Sequence, residues 1–433
     1  MKIVLKNIDV FHPEENINHK SVSVLLSEGI IVKIGELTEE EIKDSKEFDF
    51  SGKILVPGLF DMHVHLREPG REDEETVVSG SNSAAAGGFT GIACMPNTEP
   101  CIDSAEIVKF IREQASNHLV DVYPVAAASV GRKGEIISPM AELVEAGAIA
   151  FSDDGTVIKT ASVLRRAFEY ANMYSIPIIE HCEDESLAEG AMNEGVNSTL
   201  LGLPGLPSVA EDIIVSRDIL MAEYTGGRIH IAHISTKNSV NLVREAKKRG
   251  IKVTAEVTPH HFTLTDDSLK SYDTNFKMNP PLRTQSDVDA ILKGLKDGTI
   301  DCIASDHAPH SIEEKESEFQ YAPNGIVGFE TTVGLALSEL VNKNKLSFEE
   351  LIKKLSINPR KILNLPVPKF VAGEIANFTI IDPNLVWTVD ISKFKSKSKN
   401  SPFHKKLLTG KSVAVINKKK MICNDQWFDL ATD

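Results

Sequence analysis

The run ILVPGLFDMHVHLREPG, residues 54–70, decides the fold class. Its first part is apolar, as in a buried strand, and it ends in two histidines, an arginine, a glutamate and a Pro-Gly turn. An open, doubly wound sheet usually carries a glycine-rich phosphate loop after its first strand. Here His65, Arg67 and Glu68 stand in that place. The run therefore favours the strand of a closed barrel over the open sheet.

Seven later runs have the same form, a short apolar stretch followed by a polar or glycine-rich turn. With the first run they cover residues 54–65, 89–97, 120–129, 148–155, 176–184, 228–235, 252–261 and 300–310. Stretches with helical spacing lie between them, for example ASVLRRAFEYANMY and STKNSVNLVREAKKRG. Strands that alternate with helices in this way predict an α/β fold, the TIM (β/α)8 barrel.

The two ends of the chain read differently, as short strands joined by polar turns. We expect residues 1–53 and 370–433 to form one small composite β-sandwich domain around a barrel of residues 54–369. The lysine-rich stretch at 392–406 is expected to be a solvated surface loop, as most charge runs are.

Composition limits the class of protein. The chain has 433 residues and a net charge of -15, which opposes nucleic acid or an anionic membrane as the main partner. We expect a small-molecule substrate. The N-terminal stretch resembles neither a signal peptide nor an anchor, and five scattered cysteines suit a reducing compartment, so we expect a cytoplasmic protein.

Polar side chains stand at the carboxyl ends of the predicted strands, the end that carries the active site in a TIM barrel. They are His63, His65, Asn97, Asp153, Asp154, His181, His233, Asp306, His307 and His310. Because side chains on a strand alternate with a period of two, His63, His65 and Arg67 can share one face.

Two of these positions are ambiguous. Asp153 and Asp154 face opposite ways on a strand, and position alone leaves open which one enters the barrel. His230 and His233 are three residues apart, so only one of them is expected to point inward.

Buried imidazoles and carboxylates are costly to desolvate unless they have partners. A metal ion supplies such a partner, and a set without thiolates suits a catalytic Zn²⁺ site. Four histidines and two aspartates are more than one tetrahedral ion needs. They predict two ions that share a bridging carboxylate.

Seven motifs carry a resemblance to a known family: PGLFDMHVHLREPG, CMPNT, FSDDG, EHCED, AHIST, MNPPLR and SDHAPH. In order and spacing they resemble the cyclic amidohydrolases of the amidohydrolase superfamily, and most closely the bacterial class I dihydroorotases. The resemblance runs over the whole chain. It implies a zinc-dependent hydrolase that reversibly cyclises N-carbamoyl-L-aspartate to (S)-dihydroorotate and water in pyrimidine (UMP) synthesis.

The resemblance also implies a ligand set for two Zn²⁺ ions per subunit. The ligands are His63, His65 and Asp306 for the first ion, His181 and His233 for the second, and Asp154 as the bridge. The family motif places the ligand at the second aspartate of FSDDG, and His230 is then expected to face outward. Asp306 would also be the catalytic proton shuttle. Many relatives bridge the metals with a carboxylated lysine, but the fourth strand has none and Lys159 lies beyond the turn, which favours the aspartate-bridged class.

For the substrate, the resemblance implies seven contact residues: His65, Arg67, Asn97, Asn279, His310, and the backbone at Asn324 and Gly325. A guanidinium offers a planar two-donor fork to a carboxylate, with an amide and an imidazole as further donors, which agrees with a carboxylate site at Arg67. His260 and His261 are expected to be structural. Whether residues 311–325 form a loop over the site or a plain connector is left open.

Two alternatives remain. Another cyclic amidohydrolase, acting on hydantoin, dihydropyrimidine or allantoin, would keep the metals, but those rings lack the carboxylate that Arg67 would bind. A catalytically silent structural partner of aspartate transcarbamoylase would be expected to have lost metal ligands. We expect a homodimer, with association to aspartate transcarbamoylase left open.

Overall fold

The computed structural model describes residues 1–431. Eight parallel strands form one sheet in chain order. They are Leu59–Val64, Phe89–Cys94, Asp121–Ala127, Ala150–Ser152, Ile178–Glu180, Ile229–Ile231, Val253–Val257 and Cys302–Ile303. A bridge between Val64 and His307, with the His65 N–H donating to the His307 carbonyl at 2.8 Å, joins the last strand to the first. The predicted TIM barrel is confirmed.

A helix lies after each barrel strand. These helices are Val77–Gly87, Ala105–Gln114, Met140–Ala146, Ala161–Met173, Val209–Thr225, Lys237–Lys248, Gln285–Asp297 and Phe329–Ala336. The barrel strands are covered on both faces, and all six residues of Leu59–Val64 are buried, as expected for a parallel sheet. The first helix shows how the sequence sets its bounds. The Thr76 hydroxyl accepts the Ser79 N–H at its start, and Gly88 with φ +103° ends it in the left-handed region.

Strands from both ends of the chain pair into a second, nine-stranded sheet with its own hydrophobic core. They are Lys2–His12, Ile17–Ser27, Ile30–Gly35, Lys46–Asp49, Ile54–Pro57, Asn377–Thr388, Leu407–Asn417, Lys420–Cys423 and Gln426–Asp429. The prediction that both ends of the chain contribute strands to one β domain is thus confirmed. The single predicted strand 54–65 is two strands, because Ile54–Pro57 pairs with Asn377–Thr388 of this sheet and the barrel strand begins only at Leu59. The domain bounds at 53 and 370 stay predictions.

Shorter elements complete the chain. They are the helices Glu39–Ile42, Val196–Leu201, Pro259–Thr263, Ile312–Lys315, Phe348–Ile352 and Asn358–Ile362, the π-helical turns Leu337–Val341 and Lys353–Ile357, and the paired strands Met192–Asn193 and Gly205–Leu206. Within residues 1–431 no helix combines the length and apolarity needed to cross a bilayer.

The lysine-rich stretch differs from expectation. Its residues alternate, with Phe394, Ser396, Ser398 and Asn400 buried and the lysines between them facing outward or partly covered. The solvated-loop prediction is therefore wrong for the inward half. That half packs against the carboxyl end of the barrel.

Candidate metal centre and substrate pocket

The predicted metal ligands converge at the carboxyl end of the barrel. Each lies in the last residues of its strand or within three residues of its end: His63, His65, Asp154, His181, His233 and Asp306. His233 and Asp306 have positive φ angles, 29° and 47°, and so does Arg67 at 62°. Left-handed backbone is costly for residues other than glycine, and it concentrates at functional sites.

The side chains form two groups that share Asp154. The ligating atoms of His63, His65 and Asp154 lie within 4.8 Å of one another, and so do those of Asp154, His181 and His233. Asp306 joins the first group, since its Oδ1 is 3.1 Å from His65 Nε2 and 3.8 Å from His63 Nε2.

These spacings fit metal ions. A tetrahedral shell with Zn–N and Zn–O bonds of about 2.0–2.2 Å has ligand-to-ligand edges of about 3.3–3.6 Å. The distances here are slightly shorter than these edges, since His63 Nε2 is 3.2 Å from Asp154 Oδ1 and His181 Nδ1 is 3.0 Å from His233 Nε2. His63 Nε2 and Asp154 Oδ1 are buried and form no hydrogen bond. Buried polar atoms of this kind normally have partners, so their orientation suits a cation between them.

Two residues orient the histidines of the first group. Glu256 Oε1 is 2.6 Å from His63 Nδ1, and Asn97 Oδ1 is 2.8 Å from His65 Nδ1. With each Nδ1–H donating to an oxygen, each Nε2 is left unprotonated and aimed at the centre. Metal-bound histidines commonly have such a partner.

His230 corrects two expectations: that only one of His230 and His233 points inward, and that His230, by the family resemblance, faces outward. It is fully buried, and its Nε2 lies 3.2 Å from Glu256 Oε2, the carboxylate that also bonds His63. His233 nevertheless reaches Asp154, at 3.8 Å. Both histidines turn toward the centre because the strand ends at Ile231, and the positive φ of His233 breaks the alternation.

The structure also shows the contacts of the other candidate residues. Asp153 accepts hydrogen bonds from the Ser129 N–H and hydroxyl, so Asp154 is the aspartate beside the histidines. Lys159 is half exposed and pairs with Glu185 at the surface. The His261 ring is bonded to Thr258 Oγ1 and to the Pro280 carbonyl, as expected for a structural residue. Its neighbour His260 is buried with Nε2 unbonded.

The carboxylates of the centre are held in their ionised forms. Burial raises the pKa of Asp306, but its contact with His65 and the positive charge that the surrounding histidines carry in the absence of metal outweigh it and leave the pKa below its usual range. Burial likewise raises the pKa of Glu256, and the charge of His63 and the bond to His230 bring it down to about 2. Ionised carboxylates are the form that binds metal.

Arg67 and His310 lie together beside the centre. Arg67 Nη2 is 3.2 Å from His310 Nε2, and Arg67 Nε donates to the Pro309 carbonyl at 3.0 Å. Glu74 links the two residues, because Oε2 is 3.2 Å from Arg67 Nε and Oε1 is 3.0 Å from His310 Nδ1. The structure thus brings together the pair predicted to bind a carboxylate, with the Asn97 amide attached through His65.

Asn279 and Asn324 line a cavity of about 100 Å³ next to His181. Asn279 Nδ2 donates to Glu183 Oε1 at 3.2 Å, and its Oδ1 is buried without a partner. Gly325 is different, since its N–H donates to the Lys277 carbonyl and its carbonyl accepts from two side chains. Its predicted contact with substrate stays a prediction.

Residues 311–325 begin with the helix Ile312–Lys315 and are tied down by two buried lysines. Lys315 Nζ donates to the Pro323 and Gly325 carbonyls, and Lys277 Nζ donates to the Gln320 and Ala322 carbonyls. The segment is thus anchored by these four hydrogen bonds.

Sequence reasoning missed Glu256, which contacts the candidate metal ligand His63, and Glu74, which contacts the Arg67–His310 pair. For Glu256 one signal was present, a carboxylate in the middle of the otherwise apolar and β-branched strand VTAEV. For Glu74, in the polar turn after Pro69-Gly70, the local sequence offers none.

Comparison with solved structures supports the fold assignment. L-hydantoinase (dihydropyrimidinase) from Arthrobacter aurescens superposes with a TM-score of 0.86 over 98% of this chain and 96% of its own, at 24% identity. Dihydropyrimidinase from Brevibacillus agri gives 0.85 over 100% and 97%, at 21% identity. At such identities the likeness concerns the fold alone, a TIM barrel joined to a β domain.

Comparison with protein sequences identifies the family. Residues 52–239 match the dihydro-orotase-like family model. The chain is 48% identical to a dihydroorotase of Syntrophus aciditrophicus over 96% of its length and 98% of the relative's. It is 50% identical to a dihydroorotase of Acetivibrio thermocellus over 94% and 96%. The chain belongs to the dihydroorotase family, and the predicted family is confirmed.

Proposed function

We propose that this chain is a zinc-dependent dihydroorotase, which interconverts N-carbamoyl-L-aspartate and (S)-dihydroorotate plus water. The observation that carries the proposal is the position of the Arg67–His310 pair beside the metal ligands. A hydantoin or dihydropyrimidine ring has no carboxylate for that pair to bind. The full-length relatives named dihydroorotase support the same choice.

For the metals, we propose the ligand set expected from the family. His63, His65 and Asp306 would hold one Zn²⁺, His181 and His233 the second, and Asp154 would bridge them. A bound Zn²⁺ lowers the pKa of water and polarises a carbonyl group. The unbonded His63 Nε2 and Asp154 Oδ1 support this assignment.

Asp306 would move the proton. In ring opening, the oxygen of water bonds to the ring carbonyl carbon and the bond from that carbon to the ring nitrogen breaks. Asp306 would take the proton from the attacking water and deliver it to the departing nitrogen. Its ionised state, and its position 3.1 Å from His65, keep an acceptor oxygen within the centre. Ring closure would use the same groups in reverse.

Arg67, His310 and Asn97 would bind the substrate carboxylate, with His65 at the edge of that site. Burial lowers the pKa of His310 to about 3, and the charges of Arg67 and Lys315 act in the same direction. The imidazole is therefore neutral at pH 7 and can share a hydrogen bond with Arg67. Asn279 and the backbone of Asn324 and Gly325 would meet the amide edges of the ring.

The test is a substrate panel. Purified protein, with and without a chelator, is assayed on dihydroorotate, N-carbamoyl-L-aspartate, hydantoin and allantoin. We expect turnover of the first two only, lost with chelator and restored by Zn²⁺. Chelator-resistant turnover, or a preference for a ring without a carboxylate, would contradict the proposal.

We propose a cytoplasmic location, in agreement with the five free cysteines in the described chain. We also propose that the enzyme is a homodimer. Association with aspartate transcarbamoylase is compatible with it.

A further inference from the structure

The inward side of Phe394–Ser401 lies directly behind the carboxylate-binding pair. Asn400 is 5% exposed, and its side chain bonds three backbone groups. Oδ1 accepts the His310 N–H at 3.2 Å, and Nδ2 donates to the Ala308 and Gly325 carbonyls at 3.0 Å each. Its own carbonyl accepts the Val327 N–H at 2.9 Å.

These bonds join two segments that carry predicted substrate contacts. One segment holds Ala308 and His310, just after Asp306 and beyond the end of the eighth barrel strand. The other holds Gly325 and Val327, at the end of the loop that follows. A backbone bond from the Ala308 N–H to the Ile326 carbonyl, 2.8 Å long, already joins the segments, and the Asn400 side chain extends this link as far as His310.

The rest of the segment holds the other side of the pair. The Ser398 hydroxyl donates to the Glu74 carbonyl at 2.8 Å, and Ser396 and the Lys397 N–H bond to Glu75. Glu74 in turn contacts both Arg67 and His310 through its two carboxylate oxygens. The segment therefore contacts the backbone of Glu74 and of His310, two of the three residues in the Arg67–Glu74–His310 chain.

We propose that Asn400 is a positioning residue for the substrate-carboxylate site and sets its affinity through His310. The inference rests on the proposed function and deepens it. Asn400 itself touches neither substrate nor metal ligand. Its loss would leave the Ala308 carbonyl and the His310 N–H without these partners and the Gly325 carbonyl with Lys315 alone, and the freed groups would relax toward water. His310 would then move away from Arg67.

The expected signature is kinetic. The substrate carboxylate is remote from the bond that breaks, so it binds equally in the ground state and the transition state. Loss of such uniform binding raises KM and leaves kcat unchanged. We expect Asn400→Ala to raise KM for dihydroorotate by about tenfold or more, with kcat within about threefold of wild type.

Two further variants make the test sharp. Asn400→Asp keeps the shape and the Oδ acceptor but replaces the Nδ2 donors with an oxygen that faces the Ala308 and Gly325 carbonyls, so it should raise KM at least as much; the melting temperature of each variant reports whether it folds. Lys393→Ala, on the outward side of the segment with its side chain 83% exposed, is the matched control and should match wild type.

The possible outcomes distinguish failure of the Asn400 positioning role from failure of the proposed function. Raised KM with retained kcat and melting temperature in Asn400→Asp supports the positioning role. Wild-type KM in both Asn400 variants, or a fall in kcat that follows a lower melting temperature, overturns it while the proposed function stands. If wild type and Lys393→Ala both fail to turn over dihydroorotate, the proposed function fails and the inference fails with it.

Discussion

Glu256→Gln should weaken metal binding although it replaces none of the proposed metal ligands. The carboxylate lies 2.6 Å from His63 Nδ1, both side chains are fully buried, and the short bond holds the His63 tautomer that presents Nε2 to the centre. Glutamine keeps the shape and one acceptor but removes the charge.

The size of the effect follows from that bond. A charge-assisted hydrogen bond is roughly twice as strong as a neutral one, and the loss of such a partner typically lowers metal affinity by about 10–100-fold. This corresponds to about 1.4–2.7 kcal/mol. Glutamine also places an amide in the environment of His230, so the upper half of the range is the better expectation.

The assay is a titration of metal-free protein with Zn²⁺ in competition with a chromophoric chelator, with circular dichroism as a check on folding. Asp121→Asn is the matched control. It is the same carboxylate-to-amide change, placed at the start of the third barrel strand and thus at the opposite end of the barrel. Zinc affinity of Glu256→Gln within about twofold of that control would refute the reasoning about the His63 tautomer.

Three other predictions concern separate parts of the molecule. Arg67→Met should raise KM for dihydroorotate by about 100-fold through loss of a two-donor ion pair, and Arg67→Lys should restore part of the affinity. Equal KM values for wild type and Arg67→Met in steady-state kinetics would contradict the role of Arg67 in binding the substrate carboxylate. Asp306→Asn should abolish turnover in both directions with an unchanged circular dichroism spectrum, and near-wild-type activity would exclude Asp306 as proton carrier. His118 should make the fold acid-sensitive, because burial lowers its pKa to about 4 and its Nδ1 accepts the Val120 N–H. The unfolded chain binds that proton below about pH 6.5 and the folded chain only below about pH 4, so stability falls on acidification through this window, by at most about 3 kcal/mol. His118→Gln should flatten the dependence of urea unfolding on pH between 4 and 6.5, and an unchanged slope would show that His118 is not its source.

The sequence was enough to predict the barrel because its signal is repeated. Eight apolar runs with helical spacing between them leave few other architectures, and the polar residues at the run ends converge once the strands are parallel. The aspartate bridge and the carboxylate site could be assigned only through the family resemblance.

What the sequence could not provide is backbone direction beyond the strand ends. Alternation is valid within Ile229–Ile231, but His233 lies outside it at φ 29°, so the expectation that only one of His230 and His233 points inward was wrong. Glu74 and Asn400 were missed because their partner His310 is distant in the chain, 236 residues from Glu74 and 90 from Asn400. The lysines of 393–399 hid the serines between them, because a charge run has the same composition whether or not its alternate residues are buried.

The most direct test of the central claim is a crystal structure of the protein with Zn²⁺ and N-carbamoyl-L-aspartate, with data collected at the zinc absorption edge. We predict two anomalous peaks, one between His63, His65 and Asp306 and one between His181 and His233, with Asp154 between them and the ligand carboxylate on Arg67 and His310. A single peak away from Asp154, or a ligand carboxylate bound elsewhere, would contradict it.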